Sequence, residues 1–259
     1  VPAENRDYES AWWRGLMSRR PRGRGRGGGR VPNYPWARIP GCAAWWDASL
    51  GLVRSGANVV TVADQAAGNA DTLTGVSGLE PQWVATDGNG YPAFDFAGGR
   101  YFTCPDSAEL SPTVTLSLCC WAKRNATGVD HALISQRTAG QARMLFGVES
   151  SNRLYLDDGN VNFVQSTIVS TDTNWHHCAV TYDGALAAAS RVIFYFDGVA
   201  LATGVFNASA LPNTTSPLQL GMFNGTGWPL NGSLDSIGYW GRTLSAAEIL
   251  AVRSYHPHA

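Results

Sequence analysis

The segment TVTLSLCCWAK, residues 113–123, alternates so that Val114, Leu116, Leu118, Cys120 and Ala122 share one side while Trp121 points to the other. Eleven residues with period two and no Gly or Pro predict a β-strand with one face in the core. The same signature recurs on both sides. Short alternating runs at 42–47, 93–96, 100–103, 131–137, 143–149, 153–157, 162–168, 174–183, 190–197, 199–203, 217–221 and 232–240 are separated by Gly, Asn, Asp and Pro, the punctuation of antiparallel structure. FDGVA at 196–200 places Asp-Gly where a tight hairpin needs positive φ, and YDGA at 182–185 repeats the pair. One helix is expected, LSAAEILAVR at 244–253, with Ser245 as N-cap and Glu248 three residues on. Residues 42–259 therefore read as one all-β domain, an antiparallel sandwich with one short C-terminal helix.

Residues 1–41 are a different kind of polymer. Arg14, Arg19, Arg20, Arg22, Arg24, Arg26, Arg30 and Arg38 follow one another with no acid between them, and with Arg6 against three acids the arm carries a net charge of +6. The other 10 basic and 17 acidic residues give −7 for the body, so the total of −1 conceals a strong asymmetry. Arginine and glycine at this density cannot bury a core, and guanidinium suits bidentate contact with carboxylate or phosphate. Trp12 and Trp13 precede the tract as candidate anchors, and VPNYPWARIPG at 31–41 reads as an extended linker. Five cysteines, two of them adjacent in an apolar strand, read as free thiols. No run approaches the ~18 apolar residues of a membrane span.

AWWDASLG (44–51), PAFDFAGGRYFTCPDSAEL (92–110), TVTLSLCCWAKR (113–124), TNWHHCAVTYDG (173–184), IFYFDGVALATG (193–204) and LNGSLDSIGYWGRTLSAAEI (230–249) together resemble, in order, the laminin-G-like, concanavalin-A-like jelly-roll superfamily. The resemblance implies two large curved sheets packed face to face. It also implies a calcium ion at a carboxylate of the last strand, here Asp235, with Asp47 near the first-strand partner; calcium wants six to eight oxygens. Adjacent His176 and His177 point to opposite faces and read as structural rather than as ligands of one metal.

Some relatives with this fold hydrolyse polysaccharides, which requires two carboxylates on one strand face. The six glutamates make no Glu-x-Asp-x-x-Glu pattern, Asp157 and Asp158 are adjacent, and no Gly-x-Ser-x-Gly, His-Glu-x-x-His or phosphate loop occurs. A non-catalytic protein is expected. Its leading reading is a jelly-roll module docked by the basic arm onto a repetitive assembly (virion, surface layer or filament), with a protein partner or neighbouring subunit receiving the arm. The alternative is a lectin-like, carbohydrate-binding adhesion module with a glycan partner, and a weaker one is nucleic-acid binding by the arm. An extracellular, virion or cell-surface location goes with the first two. Candidate ligand-facing residues are Trp83, Tyr91, Tyr155, Phe163, Phe223, Asn224, Trp228 and Asn231, since sugar recognition uses exposed aromatic platforms and Asn-rich loops. Asn125, Asn207, Asn213, Asn224 and Asn231 also head Asn-x-Ser/Thr sequons.

Overall fold

The structure, a computed structural model, describes residues 39–66, 70–87, 90–159 and 161–255. The expectations for Trp12, Trp13 and the arginines from Arg14 to Arg30 lie outside the described residues. In chain order the strands are β1 Cys42–Trp46, β2 Leu52–Ser55, β3 Asn58–Val62, β4 Leu73–Gly75, β5 Gln82–Val84, β6 Ala93–Asp95, β7 Phe102–Cys104, β8 Thr115–Arg124, β9 His131–Thr138, β10 Gln141–Val148, β11 Arg153–Asp157 and β12 Phe163–Ile168. They continue as β13 Trp175–Asp183, β14 Val192–Phe196, β15 Val199–Leu201, β16 Leu218–Leu220 and β17 Gly232–Trp240, followed by the helix α1, Ala246–Tyr255.

All pairings are antiparallel. One sheet runs β15–β14–β13–β8–β17–β1. The other runs β12–β11–β10–β9–β16–β7–β4–β3–β2. The β5–β6 pair joins them, since β5 meets β3 and β6 meets β17. Between the sheets lies the main core, in which Leu116, Leu118, Cys120 and Ala122 of β8 meet Trp46, Phe94, Phe146, Phe194 and Tyr182. The side assigned to TVTLSLCCWAK from its alternation is the core side, except that Val114 precedes the strand and is 44% exposed. Trp121 packs on the opposite face with Ala93 and Trp175.

That outer face of the first sheet is sealed. Helix α1 lays Ile249 and Val252 on Trp45, Cys119, Ala179, Tyr195 and Trp240, with Leu244 and Ile39 completing the cluster. The expected capping box starts the helix: the Ser245 hydroxyl accepts from Glu248 N (3.3 Å) while the Glu248 carboxylate accepts from Ser245 N (2.8 Å). Arg242 grips the same carboxylate at 2.6 and 3.1 Å, holding Glu248 down at about 2.

Two local readings need correction. Asp197 and Gly198 turn β14 into β15 at φ 50° and 79°, as the Asp-Gly pair predicts. The YDGA segment makes no tight hairpin: Gly184 stands against the Ser209 carbonyl, where a Cβ would collide with backbone. Strands β2 to β5 have no counterpart among the expected runs. They are three to five residues long, and β2 carries an almost wholly exposed pattern, so alternation has too few positions to register.

The two histidines divide as expected. His177 is buried edge-to-face on Trp121 (5.6 Å), whereas His176 stacks on Phe196 and bridges two carboxylates, Nδ1 to Asp197 at 2.8 Å and Nε2 to Asp172 at 2.9 Å. Burial alone would lower the His176 pKa, but hydrogen bonds to Asp197 and Asp172 outweigh it and raise it. Asp172 is held at about 2 by the Asn174 amide and His176. Burial would raise Asp197, yet His176 and the His177 amide lower it. A raised histidine stabilises the fold fully below ~6.5 and loses that contribution as pH climbs through its folded pKa; the lowered carboxylates lose theirs as pH falls below ~4. Wild type should therefore exceed His176→Gln by about 1 kcal/mol at pH 5.5, with the gap closing by pH 9, in urea melts at both values. An equal gap at both would show that the histidine acts by packing alone.

Candidate functional site

The outer face of the second sheet is built differently from the first. In β11 the core takes Leu154 and Leu156, so Tyr155 must point outward. In β12 Val164 enters the core and Phe163 points out, 56% exposed. The two rings stack at 5.8 Å and 21°. Trp228 meets Tyr155 at 5.3 Å and 56°, and Phe223 meets Trp228 at 6.0 Å and 70°. Four of the aromatics singled out from the sequence thus form one file, Phe163–Tyr155–Trp228–Phe223.

Glycine makes room for the file. Tyr155 is opposite Gly147 in β10, and Gly147 is opposite Ala132 in β9, so the positions beside Tyr155 across these strands carry almost no side chain. A register shift between Phe146 and Gly147 brings the His131 carbonyl so close that a Cβ on Gly147 would collide with it. Trp228 reaches over this floor from a tight hairpin, where Phe223 N donates to Gly227 O (3.0 Å) and Gly227 N to Phe223 O (2.8 Å). The turn uses positive φ at Asn224 (50°) and Gly225 (68°), and Gly227 lies under the Phe223 ring.

Trp228 itself sits at φ 47°, a left-handed conformation that costs a bulky residue on the order of 1–3 kcal/mol. The surroundings hold it there. Ala132 N donates to Trp228 O (2.8 Å), and buried His131 fastens the next turn by accepting from Asn231 N (3.4 Å) and contacting Ala126 O (3.0 Å). Burial lowers the His131 pKa, so it does this as a neutral ring.

Polar groups flank the file. Arg137 lies over the Phe223 ring at 5.1 Å and pairs with Asp157 at 3.1 Å. Burial raises the Asp157 pKa against the lowering by Gly159 N and Arg137. Burial, and then the Asp157 charge, push the Tyr155 hydroxyl upward, so it stays protonated as a donor. Gln165, opposite Tyr155 in β12, donates to Glu149 at 2.5 Å. At the Phe223 end opens a cleft of about 1000 Å³ bordered by Arg137, Gln141, Asn213, Thr215 and Asn224. At the Phe163 end is a depression of about 400 Å³ along β12. Asn224, expected to face ligand, is exposed at the cleft, and all five sequon asparagines are exposed.

Three expected residues fall elsewhere. Trp83 is a brace rather than a platform: its indole N–H donates to Ala48 O (2.7 Å), and Arg54 covers its ring at 4.0 Å. Tyr91 is exposed but stands in the β5–β6 connection, its carbonyl accepting from Asp87 N (3.0 Å). The Asn231 side chain accepts from Asn125 (3.3 Å), beside the file rather than in it. Conversely, Arg137, Gln165, Glu149 and the Gly147–Ala132 floor were not singled out. The alternation around Arg137 and Gln165 carried a signal of outward direction, whereas the floor depends on cross-strand register.

Asp47 and Asp235 do come together. Ala48 N (2.9 Å) and Ser236 N (2.7 Å) donate to Asp235 Oδ1, Ser49 N donates to Asp47 Oδ1 (2.7 Å), and the Ser236 hydroxyl donates to Asp47 Oδ2 (3.2 Å). A register shift in β17 and φ 52° at Ser236 produce the juxtaposition. The described residues contain no group of three or more His, Cys, Asp or Glu side chains suited to a metal. Through their hydrogen bonds Asp47 and Asp235 brace the first turn against the last strand.

The Concanavalin A-like lectin/glucanases superfamily matches residues 96–250, more than half of the chain. The chain belongs to this superfamily. No curated protein matches its sequence. Among solved structures, the binding domain of Paraclostridial Mosquitocidal Protein 1 is similar to this concanavalin A-like chain with a TM-score of 0.59 and 13% identity, over 84% of this chain and 52% of that one. Domain 4 of AbnA, a GH43 extracellular arabinanase from Geobacillus stearothermophilus in complex with arabinotriose, gives 0.58 and 18% over 82% and 98%. Trypanosoma rangeli sialidase in complex with the inhibitor DANA gives 0.57 and 12% over 81% and 32%. The chain thus spans about half the length of the first and a third of the last, and at these identities the likeness is one of fold.

Proposed function

We propose that residues 42–259 act as a non-catalytic, lectin-like module that binds glycan on the outer face of the second sheet. The observation that carries this reading is the file of four aromatic rings over a glycine floor, with Trp228 held in a strained backbone to complete it. Sugars present apolar C–H faces that stack on such rings and hydroxyls that suit planar polar side chains, here Arg137, Gln165, Asp157 and Asn224. The file offers no pair of free-standing carboxylates across a bond to be cleaved: Asp157 is engaged by Arg137 and Glu149 by Gln165. The carbohydrate-binding reading accordingly displaces assembly docking as the function of the body, and it supports a surface or extracellular setting. No helix among the described residues is long and apolar enough to cross a membrane.

A second proposal concerns the arm. Its eight arginines without an intervening acid support docking onto an acidic partner or neighbouring subunit, independent of the sheet face. One experiment separates the parts: a glycan array probed with the full chain and with residues 39–259, each in calcium and in EDTA. The expected profile is selective, identical for both proteins and unchanged by chelation, while only the full chain forms higher-order species in light scattering. Silence on every glycan would refute the module, dependence on calcium would assign a cation to Asp47 and Asp235, and unchanged assembly after truncation would refute the docking arm.

A further inference from the structure

Resting on the glycan reading above, we infer that the ligand is a neutral, linear oligosaccharide bound along its length, rather than a terminal sugar or an acidic chain. The rings form a file and not a ring of walls. Successive centroids are 5.8, 5.3 and 6.0 Å apart, each ring contacting the next. A site for one sugar would converge polar groups on a closed pocket. Here both ends are open, on the depression beside Phe163 and on the cleft beside Phe223, so a chain can run past either.

Charge argues for neutrality. Arg137, the guanidinium that overlies the file, is tied to Asp157, and Gln165 is turned toward Glu149. An acidic polysaccharide would bring further negative charge to a guanidinium already neutralised by Asp157, beside the Glu149 carboxylate. It would also approach a body carrying −7. Hydroxyl groups can instead add to both pairs without displacing either partner, because each carboxylate and guanidinium retains spare hydrogen-bonding positions.

The test is titration calorimetry of the full chain with size ladders, one to six residues long, of neutral arabinan, xylan and β-glucan and of acidic oligogalacturonate. For one of the neutral series, affinity should rise at least about tenfold from monosaccharide to tetrasaccharide and change less than about threefold beyond it, once the file is covered. Phe163→Ala removes the exposed terminal ring without disturbing the core. It should weaken the tetrasaccharide roughly fivefold and leave the disaccharide within about twofold. A monosaccharide bound as tightly as the tetrasaccharide, or oligogalacturonate preferred to every neutral ladder and weakened by Phe163→Ala, would overturn this inference and leave glycan binding intact. No binding of any ladder would overturn the glycan reading and this inference together.

Discussion

Arg143→Ala should destabilise the domain by about 3–5 kcal/mol, lowering Cm in urea with an unchanged slope. Arg143 is fully buried. A register shift between Ala142 and Met144 in β10 turns it into the end of the sandwich, the re-aiming that a bulge provides. There its guanidinium donates to Gln136 Oε1 at 2.6 Å, to the Tyr239 hydroxyl at 3.1 Å and to the Pro112 carbonyl. Tyr239 in turn donates to Leu110 O at 2.7 Å. Removing the side chain opens a cavity and leaves two buried acceptors, on Gln136 and Tyr239, without this donor, each costing about 1–3 kcal/mol when unmet. Arg143→Met, which refills the volume, should recover part of the loss, and Arg143→Lys should fall between because one ammonium cannot span three directions. A loss below about 1 kcal/mol for the alanine variant would show that the guanidinium does not organise this end of the sandwich.

Trp228→Ala should weaken glycan binding by about 2 kcal/mol, roughly 30-fold, because Trp228 joins Tyr155 to Phe223 and its loss splits the file. Trp228→Gly separates binding from folding. Glycine adopts φ 47° freely, so the strain at this position disappears with the ring. Its thermal stability should match or exceed that of Trp228→Ala, while its glycan affinity is just as low. If Trp228→Gly bound glycan like wild type, the file would not be the site. If the alanine variant lost affinity only in proportion to lost folded protein, Trp228 would be a structural residue of the hairpin.

Much of the architecture was legible because its long strands keep one face in the core over many residues. TLSLCCWAKR in β8 and WHHCAVTYD in β13 repeat their period often enough to be read without a partner. The region from Leu52 to Val84 was not, since each of its strands is too brief for alternation to repeat. The site was half legible for the same reason. Alternation directs Tyr155 and Phe163 outward, yet it cannot say that Trp228, 73 positions after Tyr155, closes on it across Gly147. Nor does it distinguish Trp83, whose indole is consumed by the Ala48 carbonyl, from a ring left for a ligand.

The packing of Ile39 and helix α1 on one flank has a practical corollary for handling the molecule. The first described residues and the last helix both lie behind the sandwich, on the side turned away from Tyr155 and Trp228. Fixing the domain to a bead or sensor chip through Ile39 or through helix α1 would leave its aromatic side pointing into bulk solution.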